Sequence, residues 1–168
     1  GLELLLQAMK ELHDPDIELW LCGSGEMEEE IRAYAAQDSR IRFFGFLPHE
    51  EAVQLQKQAT VLVNPRTNQG EYTKYSFPSK TMEYMASGRP VMMFRLDGIP
   101  GEYDPFLTYI PKESAASIRD TAESLRKLSP SELDEMGARG REFVLKNKNR
   151  NVQMHRVLDF IHKEQSDA

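Results

Sequence analysis

The sequence predicts an α/β domain in which a parallel sheet of roughly six strands carries helices on both faces. Short apolar runs of strand length alternate with helical stretches along nearly the whole chain. A long polar loop, residues 64–75, follows one of these runs and leads towards a helix. That helix is expected to open with Pro78 and with Ser79 as its capping residue; it ends on Gly88 and is followed by Pro90, which are common stop signals. Together these features are typical of a Rossmann-like, three-layer domain.

Hydrophobic spacing sets the limits of each predicted element. The predicted strands are Ile17–Cys22, Ile41–Phe44, Ala59–Val63, Pro90–Phe94 and Leu107–Ile110. The predicted helices are residues 2–13, Glu26–Gln37, His49–Gln58, the stretch from Pro78 and Ser79 to Gly88, Ser114–Leu128, Ser131–Lys146 and Asn149–Lys163. Asp97–Glu102 is predicted to form a turn because its glycines supply unusual backbone angles.

Composition excludes several classes of protein. The chain has 168 residues, of which 40% are hydrophobic and 29% charged, so it can form one domain with its own core. The net charge of −6 argues against a nucleic-acid-binding protein, because phosphate neutralisation needs a basic face. No apolar run approaches the roughly 20 residues that span a bilayer. The single cysteine, Cys22, lies in an apolar strand pattern, and we expect it to be a small buried side chain.

Two charged residues mark the helix after the polar loop. Lys80 and Glu83 are three residues apart and therefore share one face. Lys80 lies in the first turn, where the helix dipole disfavours a cation unless an anion binds there. The carboxylate of Glu83 can accept two hydroxyl hydrogen bonds at once. A solvated ion pair between the two side chains fits their spacing equally well.

A glycine-containing turn earlier in the chain is a weaker candidate for a phosphate site than this helix start. Gly23, Ser24 and Gly25 follow a predicted strand and precede a helix, as in dinucleotide-binding proteins. Glu28 stands in place of the third glycine, and further carboxylates crowd the helix start. They stabilise the helix dipole but would repel a pyrophosphate, so we exclude a dinucleotide site here.

The segment SFPSKTMEYMASGRPVM, followed by Asp97-Gly98-Ile99-Pro100 and Glu102, resembles the C-terminal, donor-binding half of retaining GT-B glycosyltransferases. The resembling group is family 4-like, described as glycosyl transferases group 1, whose members build bacterial capsule, O-antigen and exopolysaccharide chains. The resemblance extends from Gly1 to about Ile161. It implies that Glu83 holds the ribose hydroxyls of a nucleotide diphosphate sugar. Tyr75 stands where many members carry a second glutamate.

The same resemblance implies a set of donor-binding residues. The loop after the strand Ile41–Phe44 would contact the nucleotide base through its backbone, and an apolar side chain there could lie against the base. Arg66, directly after a predicted strand, could meet a phosphate or Glu83. The predicted donor-binding residues are Gly45, Phe46, Leu47, Arg66, Tyr75, Ser79, Lys80, Thr81, Met82 and Glu83. No residue is predicted to be catalytic, no cofactor or metal is expected, and the histidines show no metal-ligand spacing.

The resemblance also implies what lies outside this chain. The first strand of the domain and an N-terminal domain that holds a carbohydrate or lipid-linked acceptor would both precede Gly1. The expected setting is bacterial polysaccharide or lipopolysaccharide biosynthesis, in the cytoplasm or at the inner face of the membrane. We expect the loop 64–75 to become ordered on donor binding, and the final helix to cross to the acceptor domain.

Two other functions are compatible with the sequence. A stand-alone nucleotide-sugar-binding module would bind the donor without transferring its sugar. A sugar-nucleotide 2-epimerase of the same architecture would hydrolyse or isomerise the nucleotide sugar without any acceptor.

Overall fold

The computed structural model describes residues 1–68, 75–155, 158 and 160. The strands are β1 (Leu19–Leu21), β2 (Ile41–Phe43), β3 (Leu62–Asn64), β4 (Val91–Phe94) and β5 (Thr108–Ile110). The helices are α1 (Leu2–Glu11), α2 (Glu28–Gln37), α3 (His49–Gln58), α4 (Ser79–Ser87), α5 (Ala115–Arg126) and α6 (Pro130–Asn147). A 3-10 helix, Gly101–Phe106, precedes β5 and was not predicted. Residues 150–155 are also helical, and the remainder of the predicted helix Asn149–Lys163 includes residues outside the described part.

Every described strand pair is parallel, which confirms the predicted α/β class. β1 pairs with β2, and β3, β4 and β5 form a second sheet with β4 at its centre. All four residues of β4 are buried, as expected for a strand covered on both faces. Met92 and Phe94 pack on one side with α1 and α5, whereas Val91 and Met93 pack on the other with α4 and α6. The side chains of β4 point alternately to opposite faces of the sheet, and each face is therefore covered by a different layer of helices.

The arrangement of strands differs from the predicted single sheet. Five strands in two sheets are found among the described residues, instead of roughly six in one. The two sheets share a core, because the apolar side of α1 packs with Leu19 and Ile41 of the first and with Ile110 of the second. The strands are also shorter than predicted. Ala59, for example, donates its amide to the carbonyls of Leu55 and Gln56 and so closes α3 instead of opening β3.

Helix boundaries follow the predicted signals with small corrections. α6 begins one residue before its predicted start, because Ser129 forms a reciprocal capping box with Glu132 and Pro130 occupies the first turn. The start of α4 differs from the prediction, because Ser79 does not cap the helix. Pro78 is the N-cap, Ser79 is the first helical residue, and no side chain caps this end. Gly88 ends α4 in the left-handed conformation, with φ of 84°, as the sequence predicted.

α6 approaches α4 very closely through a glycine. A Cβ atom at Gly137 would lie 2.0 Å from the carbonyl oxygen of Gly88 and 2.9 Å from the Cα of Arg89. One turn further along, Gly140 faces ordinary contacts, the nearest being the Met85 methyl at 3.7 Å. The absence of a side chain at Gly137 therefore sets the distance between the two helices.

The prediction for Cys22 was wrong. Its side chain is exposed, because β1 ends at Leu21 and Cys22 lies in the turn that follows. In the described part of the chain, no helix is both long enough and apolar enough to cross a bilayer.

Candidate functional site

The candidate site lies where β3 ends and α4 begins. Asn64, the last residue of β3, donates its side-chain amide to the hydroxyl of Thr81 at 3.1 Å. Thr81 is completely buried, so this hydrogen bond fixes the first turn of α4 against the strand. The Asn64 side-chain oxygen accepts the amide of Arg66 at 3.2 Å. Asn64 thus determines both how the chain leaves β3 and where α4 starts.

Glu83 occupies the second turn of α4, and two side chains donate to its carboxylate. The Nζ of Lys80 lies 3.1 Å from both carboxylate oxygens. The side-chain amide of Gln56, on α3, donates to Oε1 at 2.6 Å. The Glu83 side chain is 28% exposed and that of Lys80 is 58% exposed. The ion pair that the spacing allowed is therefore present in this structure.

These partners keep Glu83 ionised at neutral pH. Partial burial is the largest single influence and raises the pKa of its carboxyl group, whereas the hydrogen bonds from Gln56 and Lys80 lower it. The positive field of Lys80 and the neighbouring His49 lower the pKa further, and the net shift is downward. Glu83 is thus a half-buried, charged acceptor in the second turn of α4.

The loop that precedes α3 is open and anchored to the neighbouring strand. Gly45 has φ of 65°, a conformation that favours glycine, and its carbonyl accepts the amide of Gly23 at 2.8 Å. Phe46 is 75% exposed, while Leu47 is half-buried. A planar ligand could therefore meet an aromatic ring at this loop. α3, which follows the loop, packs against α4, and the charge of its first residue, His49, lowers the pKa of Glu83.

The remaining predicted residues take different positions around α4. Arg66 donates to the hydroxyl of Ser76 at 3.3 Å, next to the start of α4. Ser79 is exposed in the first turn, whereas Met82 is half-buried against the core. Tyr75 is 90% exposed just before α4. Half of the loop 64–75 that is predicted to become ordered on donor binding, residues 69–74, lies outside the described residues.

Sequence analysis missed Gln56 and the role of Asn64. Gln56 is a polar residue at a half-buried position of α3, one turn from the half-buried Ala52 and Ala59. That spacing was visible in the sequence, although its partner on α4 was not. Asn64 was placed at the start of the loop instead of at the end of the strand. No group of three or more His, Cys, Asp or Glu that could hold a metal ion occurs within the described ranges.

Comparison with known proteins identifies the family. The family model described as Glycosyl transferases group 1 matches residues 1–127. A protein of Escherichia coli strain K12 named as a colanic acid biosynthesis glycosyltransferase, WcaL, is 25% identical over 159 residues. That match covers 90% of this chain but 39% of WcaL.

Solved structures of GT-B glycosyltransferases share the fold. Sucrose-phosphate synthase from Thermosynechococcus elongatus superposes with a TM-score of 0.76 at 20% identity, over all of this chain and 43% of its own. The catalytic domain of cholesterol-alpha-glucosyltransferase from Helicobacter pylori gives 0.68 at 18% identity, over 87% of this chain and 89% of its own. Anabaena Alr3699/HepE, solved in complex with UDP-glucose, gives 0.68 at 14% identity, over 100% of this chain and 45% of its own. The fold and the family match agree, and the chain belongs to the glycosyl transferases group 1 family.

Proposed function

We propose that this chain is the donor-binding part of a retaining glycosyltransferase, which moves a sugar from a nucleotide diphosphate sugar to a hydroxyl of an acceptor. The observation that carries the proposal is the ionised, half-buried carboxylate of Glu83 in the second turn of α4. The two hydroxyls of a ribose can donate to the two oxygens of such a carboxylate. The structure of HepE with UDP-glucose supports a nucleotide sugar as the ligand.

The other predicted groups are proposed to act around Glu83. The loop Gly45–Leu47 contacts the base, and Lys80 with Arg66 meets the diphosphate near the first turn of α4. Ser79 is exposed in that turn and Tyr75 lies just before α4, whereas the buried Thr81 and the half-buried Met82 contribute by holding the turn in place. A phosphate leaving group needs a positive field more than a base, and a helix start plus lysine supplies part of it without a metal.

We further propose that a strand preceding Gly1 lies between β1 and β3. Each of these strands has one edge without a strand partner among the described residues. The start of α1 lies between their carboxyl ends. A Cβ on Gly1 would be 1.8 Å from the carbonyl oxygen of Pro65, just after β3, and Leu2 lines a cavity of about 420 Å³ with Leu21 of β1. A strand that runs into α1 would therefore fill the gap between the sheets.

The biological setting follows from the relatives. The name of WcaL supports sugar transfer in polysaccharide biosynthesis. Capsule or lipopolysaccharide synthesis, in the cytoplasm or at the inner face of the membrane, is the setting that we propose. The chain spans less than half of WcaL, so the acceptor, a carbohydrate or a lipid-linked carbohydrate, is proposed to bind another domain.

Nucleotide calorimetry tests the role of Glu83. Each charge-assisted hydrogen bond contributes about 1.5–3 kcal/mol, so Glu83→Ala should weaken binding of UDP, GDP or ADP at least about tenfold. Binding of the corresponding 2′,3′-dideoxy nucleotide should barely change, because it lacks both hydroxyls. Glu142→Ala, at an exposed site within α6, is the matched control and should behave as the wild type.

The outcomes separate the proposed functions. If the wild type and Glu83→Ala bind the nucleotide equally well, Glu83 is an ordinary surface residue, and the proposal of a donor site on α4 is refuted. Transfer of sugar by this chain alone would contradict the need for a second domain. Isomerisation or hydrolysis of the nucleotide sugar without acceptor would favour the epimerase.

A further inference from the structure

Gln56 reaches the proposed ribose-binding carboxylate from a different helix. Its side-chain amide donates to Oε1 of Glu83 at 2.6 Å, although the two residues are 27 positions apart in the sequence. The other side chain found on the carboxylate, Lys80, comes from α4 itself. Gln56 is therefore the contact that fixes the carboxylate relative to a second element of the fold.

The acceptor capacity of the carboxylate separates the roles of these two partners. An ionised carboxylate can accept about four hydrogen bonds. Gln56 uses one, and Lys80 uses one on each oxygen, so three are occupied in this structure. Two ribose hydroxyls cannot bind until Lys80 gives up at least one of its contacts. Once Lys80 leaves, Gln56 can remain, and three acceptor positions are open for two hydroxyls.

The surroundings of the two donors agree with this division. The Lys80 side chain is 58% exposed and flexible, and its ammonium can move towards a bound phosphate. Gln56 is half-buried in the last turns of α3, where its own carbonyl accepts the amide of Ala59. The half-buried side chain of Gln56 therefore has less freedom to leave the carboxylate than the exposed side chain of Lys80.

We propose that Gln56 is a positioning residue for the nucleotide sugar: it orients the Glu83 carboxylate so that both oxygens can accept ribose hydroxyls. This inference rests on the proposed function of Glu83. Gln56 itself need not touch the ligand.

The same contact links the base loop to the ribose site. α3 begins at His49, directly after the loop Gly45–Pro48, and Gln56 lies about 10 Å further along its axis. One helix therefore carries both the residue that follows the loop and the side chain that donates to Glu83.

Substitution of Gln56 tests the inference without removing the carboxylate. The probe is whichever of UDP, GDP and ADP the wild type binds most tightly, together with its 2′,3′-dideoxy analogue. Gln56→Ala should weaken binding of the probe about fivefold and leave binding of the analogue unchanged. In the absence of ligand, NMR titration of the Glu83 carboxyl carbon should show a higher pKa in Gln56→Ala, since a hydrogen bond to the charged form is lost. Gln54→Ala, at an exposed position of the same helix, is the control and should change neither quantity.

Gln56→Glu provides a second readout that a purely structural role would not give. It places a second carboxylate against Glu83, and two carboxyl groups at hydrogen-bond distance share one proton more readily than they both ionise. Relative to the wild type at the same pH, its binding of the probe should be weak near pH 7 and recover near pH 5, where the shared proton restores the hydrogen bond.

Three results would overturn the inference. If Glu83→Ala weakens binding of the probe but Gln56→Ala does not, Gln56 does not position the carboxylate, and the proposed function stands. If Gln56→Ala weakens binding of the probe and of the dideoxy analogue equally, the role of Gln56 is only structural. If neither variant changes binding of the probe, the proposed function fails, and the role of Gln56 fails with it.

Discussion

The close approach of α6 to α4 makes Gly137 a sharp test of how the site-bearing helix is held. In Gly137→Ala, the new methyl group would lie 2.0 Å from the carbonyl oxygen and 2.6 Å from the carbonyl carbon of Gly88. These are backbone atoms, so the clash cannot be relieved by a side-chain rotation, and α6 must move away from α4. Overpacking of this kind costs about 1–3 kcal/mol of stability, and occasionally more.

Gly140→Ala is the matched control for this substitution. Both glycines lie in the interior of α6, so alanine brings the same gain in helix propensity of about 0.5–1 kcal/mol at each site. At Gly140 the added methyl meets only ordinary contacts, the nearest at 3.7 Å. The gain in helix propensity is therefore the same in both variants. The difference between their free energies of unfolding then measures the cost of the clash at Gly137.

Urea denaturation monitored by circular dichroism measures that difference. With a slope of about 2 kcal/mol per M of urea, Gly137→Ala should unfold at a urea concentration about 1 M lower than Gly140→Ala. Gly140→Ala itself should be as stable as the wild type or slightly more stable. Equal midpoints for the two variants would refute the helix contact at Gly137.

Two further predictions concern charge. Lys80→Met should weaken binding of a nucleoside diphosphate more than binding of the nucleoside, because Lys80 is proposed to move from Glu83 to the phosphates. If calorimetry shows that binding of both ligands is weakened equally, the ion pair with Glu83 is the sole role of Lys80. Burial and the hydrogen bond to Asp104 raise the pKa of Tyr109 to about 12. Because the folded state holds this proton more tightly, the stability that Tyr109 contributes is present below about pH 10 and lost between pH 10 and 12. Tyrosinate absorbance of the folded protein should show this late titration, and Tyr109→Phe should remove it.

Much of the fold could be predicted because the chain carries strong local signals. The four buried residues Val91–Phe94, the serine-proline start of α6 and the left-handed Gly88 each specify structure without distant partners. Strand limits were harder to predict, since they depend on pairing. The 3-10 helix Gly101–Phe106 was missed because Tyr103 is fixed by packing against Phe143 of α6, a contact invisible in sequence.

The candidate site was predictable along α4 but not across helices. The spacing of Lys80 and Glu83 placed them on one face, and the structure pairs them. The contact from Gln56 depends on how α3 packs against α4, which no local pattern specifies. For Cys22, the apolar run before it suggested burial, but the strand ends one residue earlier and leaves its side chain in the turn.

The position of α1 has a consequence for cooperativity. α1 packs on α5, and Glu11 accepts from Arg119 at 2.9 Å across 108 residues of sequence. The apolar side of α1 also contributes to the core that both sheets share. If either sheet opens, α1 therefore loses part of its apolar contacts. The N-terminal helix α1 and the later helix α5 therefore stabilise each other, and the strand pairs cannot unfold as independent subdomains without exposing α1. A single cooperative transition is the behaviour that this helix imposes on the whole domain.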